Sequence, residues 1–71
     1  MEITVSNYID FLGGHAEIHY HDGRVEEIRI MSARTQEDGI VDLYVTDNES
    51  NKRFVRLNNF VEEAIIKPVK K

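Results

Sequence analysis

The stretch His19-Tyr20-His21-Asp22-Gly23-Arg24-Val25 decides the fold of this chain. An alternating run over 15–21 enters the Asp-Gly pair, and a second run rich in β-forming residues leaves it, which is a strong hairpin signal. Glycine tolerates the positive φ that a type I′ turn requires at its second position, and aspartate tolerates it at the first. The stretch therefore predicts two antiparallel strands joined by a two-residue turn.

Downstream of this hairpin the pattern predicts more antiparallel sheet. Strands are expected at 15–21, 24–32, 40–46 and 53–57, and the segment 60–66 leads into a closing strand before Pro68. The polar segment 33–39 ends in a second Asp-Gly turn signal, and 47–51 is a loop of turn-forming residues.

The second strand breaks the two-residue period, because Val25 and Ile28 are three residues apart. A β-bulge at Glu26-Glu27 would return both apolar side chains to one face and bend the sheet. Upstream of the hairpin, Glu2–Val5 is a candidate short strand. Ser6-Asn7 is then the expected N-cap of one or two helical turns that end at Gly13-Gly14.

Short, bent strands bury one face only by curling, so the fold class is predicted to be mainly β. We expect a small curved antiparallel sheet or SH3- or Sm-like barrel of four to five strands, with a short N-terminal helical segment, in a single domain of residues 1–71. The predicted core consists of Ala16, Ile18, Tyr20, Val25, Ile28, Ile30, Val41, Leu43, Val45, Leu57, Phe60 and Ile66.

Two segments carry a resemblance to known families. The stretch Arg53-Phe54-Val55-Arg56-Leu57-Asn58-Asn59-Phe60 is similar to the segment that precedes the last strand in WYL domains and in the small Rho-inhibitor (antiterminator) family. The hairpin Ile18–Gly23 stands in the place of their first hairpin, and 15–66 resembles the strand order of Sm-like barrels. The chain has no tryptophan, and Asp42-Leu43-Tyr44 stands near the place of the Trp-Tyr-Leu run. Resemblance to the Rho-inhibitor family implies a small acidic barrel that docks onto the basic site of a larger protein.

Composition narrows the function classes. The chain has 71 residues and no cysteine, so a disulfide framework and a thiolate nucleophile or metal site are excluded, and a reducing cytoplasm is the expected compartment. No apolar run approaches the roughly 20 residues that span a bilayer. The serines stand in no nucleophile motif and no glycine-rich phosphate loop is present, so we expect neither an enzyme nor a cofactor.

Charge favours a protein partner. Residues 1–63 contain thirteen acidic and six basic residues, a net charge of −7, and three lysines near the end of the chain bring the total to −4. We therefore expect a regulatory, protein-binding module whose acidic surface docks onto another protein with a basic surface. The candidate partner-binding residues are the loop acids Glu37, Asp38, Asp47 and Glu49.

Three other hypotheses stay open. The sheet arginines and aromatic rings would suit direct binding of nucleic acid, although the net charge opposes it. A free strand edge would suit self-assembly into a homo-oligomer. His15, His19 and His21 have spacings that metal ligands use, but we favour a solvated outer face over a metal site. The residues of the nucleic-acid hypothesis are Arg24, Arg29, Arg34, Arg53 and Arg56, with Tyr20, Tyr44 or Phe54 for stacking.

Overall fold

The chain forms one antiparallel sheet of five strands in a computed structural model, which describes residues 1–37, 39–58 and 64–69. The strands are β1 (His15–Tyr20), β2 (Val25–Glu37), β3 (Ile40–Asp47), β4 (Lys52–Asn58) and β5 (Ala64–Val69). Their spatial order is β4-β3-β2-β1-β5, so β4 and β5 are the two edges of the sheet. The predicted fold class, a mainly β domain with a curved antiparallel sheet, is confirmed.

The β1–β2 hairpin forms as predicted, but its turn has three residues instead of two. The Gly23 N–H donates to the Tyr20 carbonyl at 3.1 Å, and the Tyr20 N–H donates to the Arg24 carbonyl at 2.9 Å. Gly23 has a φ of +91°. Asp22 lacks the positive φ that a type I′ turn requires, because Ser50 is the one non-glycine residue of the described chain with a positive φ. This combination is the three-residue loop with glycine in the left-handed position. The predicted type I′ turn is therefore wrong in detail.

The bend of the sheet comes from two bulges that lie later in β2 than predicted. The register of β1 with β2 runs without interruption through Glu26 and Glu27, so the bulge expected there is wrong. Register shifts occur instead between Ile30 and Ser32 and between Thr35 and Glu37. The strand reaches thirteen residues and continues into the polar segment 33–39, which lies outside the strands predicted from the sequence. A long, twice-bulged strand can pair with β1 at one end and with β3 at the other.

The sheet has an inner face, which packs into one hydrophobic core, and an outer face exposed to solvent. Two members of the predicted core differ: Tyr20 is half-buried, and Val25 is 53% exposed on the outer face. A further member, Phe60, lies outside the described residues. Ile3 is buried although it was not predicted. The buried apolar side chains are those of Ile3, Ala16, Ile18, Ile28, Ile30, Val41, Leu43, Val45, Leu57 and Ile66.

The N-terminal segment crosses the sheet edge without forming a strand. The Ile3 N–H donates to the Ile66 carbonyl at 2.7 Å, but 1–4 has no regular secondary structure. The helical piece is a single 3-10 turn, Tyr8–Phe11. Asn7 precedes it but does not cap it, because its side-chain oxygen accepts a hydrogen bond from the Thr4 N–H. No helix in the described residues has the length and apolar character needed to cross a membrane.

Candidate functional site

The outer face of β2, β3 and β4 carries a patch of cations and aromatic rings, which we call the outer patch. Cross-strand register arranges it in three rows, each with one residue from each strand. Neighbouring rows are two residues, or about 6.6 Å, apart along β3 and β4. Along β2 the step from Ser32 to Arg29 is three residues, because a register shift lies between Ile30 and Ser32. An aromatic row lies between two rows that carry cations. The rows are Arg34-Asp42-Arg56, Ser32-Tyr44-Phe54 and Arg29-Thr46-Lys52.

Asp42 is buried at the centre of the first row, although its strand position faces outward. Its side chain is 5% exposed, and its Oδ1 accepts a hydrogen bond from Arg56 Nε at 3.1 Å. Its Oδ2 accepts hydrogen bonds from Gln36 Nε2 at 3.1 Å and from Arg34 Nη2 at 3.4 Å. The two arginine side chains are 57% and 59% exposed, so they cover the carboxylate while most of each side chain stays in contact with solvent.

The hydrogen bond from Arg56 is the main cause of a lowered pKa at Asp42. Burial acts in the opposite direction, and the positive charges of Arg56 and Arg34 add to the lowering. The carboxylate therefore stays ionised at neutral pH and holds both guanidinium groups in place. Each guanidinium has five N–H donors, so one contact with Asp42 leaves donors for another acceptor.

The aromatic row is continuous with this ion-pair group. The rings of Tyr44 and Phe54 have centroids 5.0 Å apart at an interplanar angle of 42°. The Arg34 guanidinium carbon lies 4.1 Å from the centroid of the Phe54 ring, within cation–π range. Phe54 is nevertheless 47% exposed. Phe54 is thus a large apolar side chain that contacts Arg34 and Tyr44 and still faces solvent.

The outer patch differs in sign from the rest of the molecule. Four cations and one carboxylate in its three rows give a net charge of +3, whereas the whole chain has −4. The remainder of the chain therefore carries −7. Glu37 lies just beyond the patch, paired with Ile40 in the next row towards the β2–β3 turn.

A second polar group, the rim cluster of Tyr20, Glu26, Asp47 and Arg53, lies on the inner face at the end near the β1–β2 turn. Glu26 Oε1 accepts hydrogen bonds from Tyr20 Oη at 2.8 Å and from Arg53 Nη2, and Arg53 Nη1 lies 3.9 Å from Asp47 Oδ2. The bond from Arg53 is the main cause of the lowered pKa of Glu26, and burial is the main cause of the raised pKa of Tyr20. An ionised carboxylate held in this way joins β1, β2 and β4.

His15 lies apart from the other two histidines along the chain. His15 and His19 are on the outer face of β1, four residues or about 13 Å apart along the strand, and His21 follows the strand in the turn. His19 Nε2 lies 3.2 Å from Glu17 Oε1. Within the described residues no group of three or more His, Cys, Asp or Glu side chains is arranged to hold a metal ion.

The candidate acids of the partner-binding hypothesis lie at opposite ends of β3. Glu37 and Glu49 are exposed at the two ends, separated by the eight residues of the strand, or roughly 25 Å. Asp47 caps the β3–β4 loop, because its Oδ1 accepts hydrogen bonds from the N–H groups of Glu49 and Asn51 at 2.9 and 3.0 Å. The Asn51 bond is the main cause of its lowered pKa. Asp38 lies outside the described residues.

The residues of the nucleic-acid hypothesis divide between three places. Arg29, Arg34, Arg56, Tyr44 and Phe54 belong to the outer patch, and Tyr20 and Arg53 belong to the rim cluster. Arg24 lies in the β1–β2 turn, where its guanidinium carbon is 4.6 Å from the Tyr20 ring centroid and its Nε is 2.7 Å from Asp22 Oδ2.

Two charged residues of the outer patch, Asp42 and Lys52, are absent from the candidates named from the sequence. The signal was available in the β3–β4 hairpin. Centring its loop on Glu49 pairs Asp42 with Arg56 and Tyr44 with Phe54, as the register has them. Arg34 could not be found in this way, because its partner depends on the bulges of β2.

Comparisons of the chain with protein-family models, curated proteins and solved structures found no match. The resemblance to WYL domains and to the Rho-inhibitor family stays a prediction, and function has to be inferred from the geometry of the chain.

Proposed function

We propose that this protein is a non-enzymatic, regulatory binding module that acts through protein–protein contacts of the outer patch. The observation that carries the proposal is the exposed ring of Phe54, with Arg34 over one part of it and Tyr44 beside it. Tyrosine, phenylalanine and arginine are the side chains enriched in protein interfaces, and tyrosine and arginine also dominate their energetic hot spots.

Preorganisation supports the same proposal. Arg34 and Arg56 are tied to a buried carboxylate, so a partner that binds them has less side-chain entropy to remove than with free arginines. The aromatic pair is already formed across two strands. Less of the binding free energy is then lost in ordering these side chains when a partner binds.

The proposal moves the binding surface away from the loop acids, and because the outer patch is positive it replaces the basic partner expected from the sequence with an acidic one. Glu37 and Glu49 are too far apart to act as one surface, and Asp47 is engaged in its own loop. The −7 remainder still contributes at long range, because it orients the molecule so that the positive patch faces an acidic partner.

A capture experiment with matched variants tests the proposal. The parent protein, immobilised, should retain a protein from a lysate of the source cells, and Phe54→Ala and Arg34→Gln should lose it. Arg24→Gln is the matched control, since Arg24 also lies over a ring and pairs with an aspartate, but in the β1–β2 turn. The retained protein is then purified and its binding is measured directly. Equal retention by all variants would refute the proposal.

Direct binding of nucleic acid is the second candidate, and one observation favours it. Two cationic rows beside an aromatic row resemble a stacking platform with phosphate contacts. A polynucleotide is long, however, and would also meet the repulsion of the −7 remainder. Binding of generic RNA or DNA by the parent, lost with Phe54→Ala, would favour this candidate.

Two further expectations belong to the proposal. A chain without cysteine suits the reducing cytoplasm, where we place the protein. Self-assembly through a strand edge is a separate hypothesis, and light scattering over a concentration series tests it, because an assembly would give a mass that rises with concentration.

A further inference from the structure

The edge strand β4 presents a regular pattern on its outer face. Lys52, Phe54 and Arg56 are two residues apart and share that face, since their partners on β3 are Thr46, Tyr44 and Asp42 in turn. In the described residues β4 is hydrogen-bonded to β3 alone, so its other side is an edge of the sheet. An edge strand can pair with an added strand through main-chain hydrogen bonds.

We propose that β4 accepts an extended acidic segment of the partner protein as an added strand. The inference deepens the proposed function and rests on it. Directly opposite residues of paired strands have Cβ atoms about 4.5–5.5 Å apart, and both strands share the same two-residue period. A segment of the form acidic-x-apolar-x-acidic therefore places its carboxylates opposite Lys52 and Arg56 and its apolar side chain against Phe54.

The positive charges of the outer patch favour an acidic ligand. The two outer residues that flank Phe54 on β4 are cations, and the patch as a whole has +3. Asp42 holds Arg56 by one Nε contact, so the remaining N–H donors of that guanidinium can reach a carboxylate on the added strand. A basic or neutral segment would offer no acceptor to Lys52 or to the remaining donors of Arg56 at the interface.

A second copy of the chain that pairs through its β5 fits the same edge poorly. The other edge of the sheet is β5, where Lys67 shares the outer face with Glu17 of β1. Pairing β5 of one copy with β4 of another would bring Lys67 onto a face that already carries Lys52 and Arg56. Like charges placed opposite each other destabilise a strand pair.

Peptides of designed pattern test the inference with the full chain. The probe is a fluorescent peptide Ser-Thr-Glu-Thr-Leu-Thr-Glu-Thr-Ser, and its controls are a peptide with both glutamates changed to glutamine and a same-composition peptide with the glutamates adjacent. Fluorescence anisotropy should show binding of the probe, weakened about tenfold or more in each control. Two N-methylated peptides, each modified at one of the two alternate sets of amides, should behave differently: one should lose binding, because only one set of main-chain donors faces β4.

A charge exchange on the protein gives the direction of the added strand. Lys52→Glu is suitable because Lys52 is exposed and pairs across the strand with Thr46, so the fold does not depend on its charge. The variant should lose the probe and bind one of two peptides in which a single glutamate, first or second, is replaced by lysine. Which of the two binds tells whether the strand is added parallel or antiparallel. Recovery with both or with neither would count against strand addition.

The outcomes separate this inference from the proposed function. If no peptide binds but capture from lysate still depends on Phe54 and Arg34, strand addition is wrong and the binding module stands. If capture and peptide binding are both independent of the patch, both proposals fail. Binding of an oligothymidylate of about fifteen nucleotides in place of the peptides would overturn both in favour of nucleic acid.

Discussion

Asp42→Asn changes the charge of the buried carboxylate at the centre of the outer patch while keeping its shape. Among the described residues Asp42 is the one polar side chain that is buried, with 4% of the residue exposed. An asparagine in its place keeps one oxygen, which still accepts the hydrogen bonds on its own side. Its NH₂ group, however, faces the donors of Arg34 and Gln36 or that of Arg56, where the native residue has an acceptor.

The expected loss follows from these contacts. Hydrogen bonds to charged groups contribute about 1.5–3 kcal/mol each in buried settings. The arginine partners of Asp42 are more than half exposed, so water replaces part of what they lose and the cost is discounted. We expect a decrease of about 1.5 kcal/mol in the free energy of unfolding. For a domain of this size that is a fall of about 6–12 °C in melting temperature.

Thermal and urea unfolding at pH 7 provide the measurement, with Asp22→Asn as the matched control. Asp22 also pairs with an arginine, at 2.7 Å, but the side chains of that pair are 72% and 58% exposed. The control should melt close to the parent, because exposed ion pairs contribute little and asparagine keeps an oxygen for the hydrogen bond from the Arg24 N–H. An Asp42→Asn variant that melts within about 2 °C of the parent would show that the burial of this carboxylate does not matter.

The pH dependence gives an independent check on the sign. The native pKa of Asp42 is lowered, chiefly by the hydrogen bond from Arg56. The ionised group therefore stabilises the fold fully above its unfolded pKa of about 3.9, and this contribution is lost as the pH falls through the lower native value. The difference in stability between parent and Asp42→Asn should be constant from neutral pH to about pH 5 and shrink below that. A difference that grows on acidification would contradict the assignment.

The remaining predictions concern the core, the β3–β4 loop and the histidines. Leu43→Ala should cost about 2–5 kcal/mol in urea unfolding, because the side chain is fully buried, whereas Val25→Ala should change little, and equal effects would mean that the strand faces are misassigned. Asp47→Ala should lower the melting temperature more than Glu49→Ala does, since alanine removes the Asp47 oxygen that accepts two backbone hydrogen bonds whereas Glu49 is exposed; the reverse order would contradict the capping role. Calorimetry with Zn²⁺ or Ni²⁺ at pH 7.5 should show no stoichiometric binding, and tight binding abolished by His19→Ala would overturn this.

Local sequence pattern determined the strands and most of the core. Alternation placed Ala16 and Ile18 on the buried face of β1, and Val41, Leu43 and Val45 on that of β3. Such positions can be predicted because the two-residue period of a strand depends on the backbone alone and is the same in every sheet. The hairpin at Asp22-Gly23 was likewise predictable, since a glycine with positive φ is a local requirement.

Tertiary structure decided where β2 bends. Glu26 faces inward without a bulge because Tyr20 and Arg53 supply donors for its carboxylate, and Arg53 lies 27 positions away in sequence. Val25 consequently faces solvent. The prediction of a bulge rested on the assumption that both glutamates face outward. The sequence pattern could not show that Arg53 pairs with Glu26, so the predicted bulge is absent from the structure.

The outer patch could be predicted only in part from the sequence. Its residues could be named as arginines and aromatic rings, and the β3–β4 hairpin register could pair Asp42 with Arg56. That Arg34 reaches both Asp42 and Phe54 depends on the register shift between Ile30 and Ser32, which sets the phase of the second half of β2. Shifting a strand by one residue exchanges its two faces. The residue types of the outer patch could thus be predicted from the sequence. Their placement on one face could not, because the position of a bulge depends on packing across several strands and not on the residues of the bulge alone.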